Sequence, residues 1–203
     1  MLLVAALPTA SVAGPKVEVS WKNPEYSGPA KFKRVLVVAL NGQPANRVEF
    51  EDELVAAINR PTQKAEASYE YMLREEGIPV EEKDLRALIR DHNFDAVLIA
   101  RLAKHETRTT YVPGQVYQPM PYYSTLYGYY HYVAPPVYTP GYMETEKTAQ
   151  VEVNFYAVVA PDGQLVWTGM TNTFDAGSAM KAIKKLVKVV SKELEKQNIV
   201  PAQ

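Results

Sequence analysis

The 203-residue chain contains no cysteine, which excludes disulfides, thiolate metal sites and a cysteine nucleophile. It has three histidines, His92, His105 and His131, and their scatter gives neither H-x-x-x-H nor H-E-x-x-H spacing, so no metal site is expected. Neither charge sign is in excess: 22 Lys and Arg stand against 23 Asp and Glu, a net charge of −1. Nucleic-acid binders normally show a clearly basic face, so no nucleic-acid partner is expected, although stacking rings alone would permit single-strand contact. The turn Leu40-Asn41-Gly42-Gln43-Pro44 follows a strand and precedes a helix, yet it has one glycine and neither G-x-G-x-x-G nor G-x-x-x-x-G-K-S/T. No serine sits in a G-x-S-x-G elbow. From these absences no catalytic residue and no cofactor is expected.

Tyrosine is what the chain has in excess, and it is concentrated. Residues 111–142 hold ten of the fourteen tyrosines and six of the fifteen prolines, with no Asp, Glu, Lys or Arg. A connection this long far exceeds the usual loop of roughly 4–6 residues and reads as functional or disordered. Disordered segments are poor in aromatics, which argues for order or contact. A tyrosine ring offers a broad apolar face and a hydroxyl that stays wet, at the entropic cost of two torsions. Tyr111, Tyr117, Tyr122, Tyr123, Tyr127, Tyr129, Tyr130, Tyr132, Tyr138 and Tyr142 are therefore the candidate interaction residues. Prolines 113, 119, 121, 135, 136 and 140 favour extended or turn conformations, and the stretch from Tyr122 to Tyr132 fits a short hairpin arm. Two other readings stay open: the rings cover the protein's own sheet, or the segment is disordered.

The rest of the chain has an ordinary α/β pattern. Lys16 to Trp21 alternates as an edge strand with Val17, Val19 and Trp21 on one face. Phe32 to Leu40 is a continuous apolar run expected at the centre of the sheet, buried on both faces. Asn46 and Glu49 form a capping-box pair for a helix. Val48, Leu54, Val55 and Ile58 line that helix, Glu51, Asp52 and Glu53 sit early in it, and Pro61 stops it. A weak strand over Lys64 to Tyr69 and a helix from Glu81 to Asp91 follow, the latter ending at His92-Asn93 because Asn tolerates the left-handed conformation. Phe94 to Leu102 predicts another core strand that leaves the core through His105, Thr107 and Thr109. Thr148 to Val159 predicts a long strand, Pro161-Asp162-Gly163 a hairpin turn and Leu165 to Met170 its return. Ala176 to Gln197 predicts a helix with Met180, Ile183, Val187, Val190 and Leu194 on its apolar stripe and Ser178 as cap. Its lysines 181, 184, 185, 188 and 192 make a solvated face, with anionic lipid as the less favoured alternative.

The first fourteen residues hold a short apolar stretch followed by small residues, with Ser11 and Ala13 at the −3 and −1 positions of a cleavage site. Residues 1–14 are thus expected to be a signal-peptide remnant, and 15–200 a single α/β domain carrying the 111–142 loop or arm. An ordinary frayed chain end is the bland alternative. About eight apolar residues are too few for a transmembrane helix. His105 and Arg108 flank the entry to the tyrosine segment and Glu144 and Glu146 its exit. They could form a small polar cluster, and a hydrolase centred on His105, Arg108 and Glu146 is a third reading beside a ladder pair of neighbouring strands.

Several short motifs, in order, carry a resemblance: Ser20-Trp21-Lys22-Asn23-Pro24, Phe32-Lys33-Arg34-Val35-Leu36-Val37-Val38, Phe94-Asp95-Ala96-Val97-Leu98-Ile99, Thr110-Tyr111-Val112-Pro113-Gly114, and Gly163-Gln164-Leu165-Val166-Trp167-Thr168-Gly169. On these the chain resembles, over most of residues 16 to 200, a bacterial envelope lipoprotein family carrying a domain of unknown function. The resemblance implies an exported, periplasmic or outer-membrane-associated α/β domain with no enzymatic activity and no catalytic residues to transfer. The fold also looks like lipoprotein activators of penicillin-binding proteins and the amino-terminal domain of the TolB translocation protein. Fold alone does not fix function. Pro15 stands where the lipidated cysteine of such a family would be, so membrane association is implied by analogy only.

The expected architecture is α/β: a mixed sheet with about three packed helices, a C-terminal hairpin followed by a long amphipathic helix, and the Tyr/Pro/Gly-rich insertion. The expected function is a non-catalytic envelope protein that presents this insertion for association with an envelope protein or with itself. Glycan or peptidoglycan binding by the same rings is the alternative.

Overall fold

The structure is a computed structural model that describes residues 14–26, 31–40, 43–72, 81–117, 137–158 and 163–202. The signal-like segment 1–13 and the centre of the tyrosine segment, 118–136, lie outside the described residues, as does the Pro161-Asp162 turn. The elements run β1 (Val17–Lys22), β2 (Arg34–Leu40), α1 (Pro44–Ile58), β3 (Lys64–Ala67), one 3-10 turn (Ser68–Glu70), α2 (Glu82–Asp91) and β4 (Ala96–Val112). They continue with β5 (Gln115–Tyr117), β6 (Val137–Thr139), β7 (Tyr142–Ala157), β8 (Gln164–Thr171), β9 (Phe174–Asp175) and α3 (Ala179–Lys196). The fold is the expected α/β class. Two compact units divide the chain: a body made of everything outside Thr107–Glu146, and an arm made of Thr107–Glu146.

The body holds a mixed sheet in the order β1-β8-β7-β4-β2-β3, with β9 on β7. β2 pairs in parallel with both β3 and β4, the pattern of strands joined by crossover helices. Alternation along β2 serves two cores at once. Val35, Val37 and Ala39 enter the larger cluster with α1 and α3, whereas Leu36 and Val38 enter a smaller one with Leu88 and Phe94. β2 is not the centre of the sheet, however; it lies one strand from the β3 edge, and β7 and β4 occupy the middle. A strand between two parallel neighbours is buried on both faces wherever it lies, so burial does not fix rank.

β7 follows the predicted alternation, with Val151, Val153, Phe155 and Ala157 buried on one face. The predicted hairpin is present as antiparallel β7–β8 pairing, Tyr156 opposite Leu165 and Ala157 opposite Gln164, with Gly163 at φ +70°. α3 buries Ile183, Val187, Val190 and Leu194 as predicted, together with Ala182 and Leu186, while Met180 is exposed. Both α2 and α3 end on an asparagine of positive φ, Asn93 and Asn198. Behind them Phe94 N–H donates to Ile89 O at 3.0 Å and Ile199 N–H to Leu194 O at 2.9 Å, the six-to-one bond that satisfies a last-turn carbonyl and folds an apolar residue back onto the helix.

Three local expectations are corrected. α1 starts at Pro44 with Gln43 as cap, and Asn46 is no cap: its amide donates to Gln43 Oε1 at 3.1 Å. Proline at the first helical position needs no N–H partner and has its φ preset, which outweighed the capping-box pattern. Glu51, Asp52 and Glu53 therefore lie well inside the helix, and Val48 faces out while Arg47, Phe50 and Glu51 face in. β1 is the predicted edge strand, but Val19 and Trp21 are 63% and 46% exposed. Its opposite face is the one that meets α3, where Ser20 donates to Glu193 and Lys22 Nζ to Gln197 O at 2.8 Å. Ser178 occupies the cap position of α3 without a side-chain cap bond.

Trp167 is fully buried, and its indole lies over Gly169, where a Cβ would collide with the six-membered ring. Gly169→Ala forces that ring or its strand to move in a close-packed interior, a cost of about 1–3 kcal/mol. Denaturant unfolding followed by tryptophan fluorescence should show the lower midpoint at an unchanged slope.

Candidate interaction surface

The arm is built by strands where the sequence suggested a loop. β4 runs on to Val112, β5 and β6 pair antiparallel with Val116 opposite Tyr138, and β7 begins at Tyr142. Pro113-Gly114 and Pro140-Gly141 separate the ladders on the two legs. Proline cannot donate to a ladder, so hydrogen bonding stops at each step and resumes beyond it. The two glycines face each other closely: a Cβ on Gly114 would lie 2.6 Å from Thr139 O and 2.9 Å from Gly141 N, and one on Gly141 would meet the Tyr111 hydroxyl. At Gly114 the obstacles are backbone, so only a residue without a Cβ fits; at Gly141 the exposed Tyr111 ring would have to swing aside. Thr109 and Thr145 hydroxyls sit 3.4 Å apart across the legs.

Among the candidate tyrosines, Tyr111, Tyr138 and Tyr142 are 61%, 66% and 55% exposed. Tyr117 lies in β5, and Tyr122, Tyr123, Tyr127, Tyr129, Tyr130 and Tyr132 lie outside the described residues. Val116 and Met143 are also exposed, at 68% and 63%, and sequence reading passed them over because they are not aromatic. Val116 and Tyr138 are cross-strand partners and so share a face. The described arm thus holds five large exposed apolar side chains in a stretch, 109–143, free of Asp, Glu, Lys and Arg. Tyr142 and Met143, successive in β7, point to opposite faces, so exposed apolar side chains, which mark contact sites where they gather into patches, occur on both faces of the ribbon. Of the residues expected to cluster at the base, His105 belongs to the body, and Arg108, Glu144 and Glu146 belong to the arm. Among the described residues no group of three His, Asp or Glu side chains could hold a metal, and no helix is long and apolar enough to cross a membrane.

Two polar networks in the body escaped sequence reading. Glu51, fully buried on α1, accepts from Ala39 N–H at 2.9 Å, Arg47 Nε at 3.0 Å, Ser68 Oγ at 2.9 Å and Tyr69 N–H at 2.9 Å. Arg47 also reaches Ser68 Oγ at 3.0 Å and Met72 O at 3.2 Å. At the opposite end of β2, Glu66 pairs with Arg34 at 2.6 Å and Lys64 at 3.2 Å and accepts from the Tyr71 hydroxyl. Tyr71 packs tilted against the His92 ring, with centroids 4.5 Å apart, and edge-on to Phe94. Burial alone would raise the Glu66 pKa, but hydrogen bonds from Tyr71, Arg34 and Lys64 outweigh it and hold the carboxyl below its ordinary range. The same bond raises Tyr71, and a 2.6 Å hydrogen bond to Asp52 pushes Tyr69 up to about 12.

The body also has a cavity of about 130 Å³ where β2 ends, between α1 and α3, and a groove of about 740 Å³ beside α2 on the other face of the sheet. The chain is thereby an α/β body with a β-ribbon arm. No family model matches it, and no curated protein sequence matches it. Distant structural likeness exists to the PelC dodecamer of Paraburkholderia phytofirmans, with a TM-score of 0.42 and 12% identity over 91% of this chain and 99% of that one. A point variant of that PelC gives 0.41 and 13% over 85% and 96%. Lipoprotein GNA1162 of Neisseria meningitidis gives 0.40 and 14% over 81% and 99%. At this level of likeness no residue role passes to this chain.

Removing one partner of the buried pair leaves an uncompensated charge, so Arg47→Met should cost about 3–5 kcal/mol in urea unfolding. Glu66 has a lowered folded-state pKa, so its stabilisation is present above the unfolded carboxylate value and disappears as pH falls through the folded one. Glu66→Gln should therefore be less stable than the parent at neutral pH, with the gap closing in acid. A gap that stays constant across thermal melts from neutral to acid pH would refute the assignment.

Proposed function

We propose that this chain is a non-catalytic protein of the bacterial envelope whose arm is a surface for protein association, copies of itself included. The observation that carries the proposal is the set of exposed apolar side chains, Tyr111, Val116, Tyr138, Tyr142 and Met143, on a stretch without charge. Burying such rings against a partner removes apolar surface from water at about 25 cal/mol per Å². Tyrosine is the residue that interface hot spots favour. The envelope location rests on the signal-like first fourteen residues and on the family resemblance of the short motifs. The non-catalytic reading rests on the absence from the sequence of a nucleophile elbow, a phosphate loop and metal-ligand spacing.

Light scattering of the intact chain beside one with residues 113–140 replaced by a short Gly/Ser linker tests the arm. The replacement removes β5, β6, Pro113-Gly114 and Pro140, and with them Val116 and Tyr138, while sparing every body element. The expected result is an intact chain that assembles with rising concentration and a replaced chain that stays a monomer with an unchanged melting temperature. Equal assembly by the two chains, or unfolding of the replaced one, would remove the 113–140 segment of the arm as the contact surface.

A further inference from the structure

The 130 Å³ cavity lies entirely within the body, where β2 ends and the first turns of α1 and α3 converge. Alanines make it: Ala39 on β2, Ala100 on β4, Ala149 on β7, Ala176 beyond β9, and Ala179 and Ala182 on α3 all line it. Any larger side chain at these positions would fill the space. Phe50, Leu102, Val151, Phe174, Ile183 and Leu186 complete the apolar lining, and Asn46, Arg101 and His105 add hydrogen-bonding groups to it. An apolar cavity of roughly 150 Å³ accepts one benzene ring, so this one has room for a single ring and little more. A ring with an apolar body and one polar tip suits such a lining, because Asn and His both donate and accept. Among side chains that description selects tyrosine. The groove beside α2 is several times too large for the same purpose.

We propose that the cavity receives a tyrosine ring from the arm of a second copy, with Tyr138, the most exposed of the described rings, as the first candidate. This rests on the reading of the arm as an association surface and names its partner and its receptor. Arm and cavity are different patches, so each copy offers one of each and the contact is head-to-tail. Such a contact closes into rings where the rotation allows and otherwise runs on as filaments.

The test uses the full-length chain with the cavity filled from two directions. Ala182→Leu fills it from within, and Ala179→Phe fills it from an exposed rim position where folding is not at stake. Both should weaken assembly about thirtyfold or more, as loss of a hot-spot contact does, with melting temperatures near the parent's. A chain with a working arm and a blocked cavity should also cap growth, so adding Ala182→Leu protein to the intact chain should lower its mean mass in proportion. p-Cresol, the tyrosine side chain without its backbone, should dissociate the intact assembly and shift the methyl signals of Ala100, Ala149 and Ala182. If Ala179→Phe assembles like the parent, or p-cresol leaves the assembly whole, the cavity is not the receptor. The arm reading would survive that result, because it falls only if replacement of residues 113–140 leaves assembly unchanged or unfolds the chain.

Discussion

Glu51 is the constraint around which the body is arranged. A carboxylate with no solvent exposure has a place in a protein only when its charge is paired and its lone pairs are occupied. Here four donors do this, and they come from three different elements: the end of β2, α1 itself, and the turn after β3. The network therefore fixes the helix against both parallel strands at the point where the chain leaves each of them. Phe50 and Asn46, which line the cavity, are neighbours of Glu51 and Arg47 on the same helix. Their position is set by the buried pair, so the shape of the cavity depends on an ion pair that does not line it.

Small residues set the other distances. Gly169 leaves room for the Trp167 ring, Gly114 and Gly141 let the two legs of the arm meet, and the six alanines leave a space between sheet and helices. Each is a place where the sequence withholds volume. Close-packed interiors normally leave no gap of ring size; here six alanines among larger neighbours such as Phe50, Phe174, Ile183 and Leu186 leave one.

The architecture was largely legible in the sequence because periodicity reports burial directly. The two-residue alternation of β7, the apolar run of β2 and the stripe of α3 each gave the element and its buried side. Rank within the sheet was not legible, since a strand flanked by parallel partners looks the same at the centre and one step from the edge. The inward turn of Arg47 and Glu51 was hidden for a different reason: charged residues on a helix read as solvent-facing until the partners that neutralise them, Ser68 and the backbone of Ala39 and Tyr69, are brought in from elsewhere. In the tyrosine segment the spacing of Pro113-Gly114 and Pro140-Gly141 about a common centre was the available sign of a paired ribbon. It was masked by the general association of proline and glycine with loops.

The stretch from Thr109 to Met143 lacks ionisable carboxylates, ammonium groups and guanidinium groups altogether, and this has a kinetic meaning. Charged interfaces gather partners from a distance, with encounter rates that rise steeply as salt is removed. A stretch without charge has no such reach of its own, although Arg108, Glu144 and Glu146 flank it within the arm. Were this stretch the contact surface, its collisions would proceed near the unsteered rate, on the order of 10⁵–10⁶ M⁻¹s⁻¹, with little dependence on ionic strength, and partner discrimination would fall to how long a misfitted encounter lasts. Selectivity would then reside in dissociation, and changes in the surrounding salt would leave the exchange of partners almost untouched.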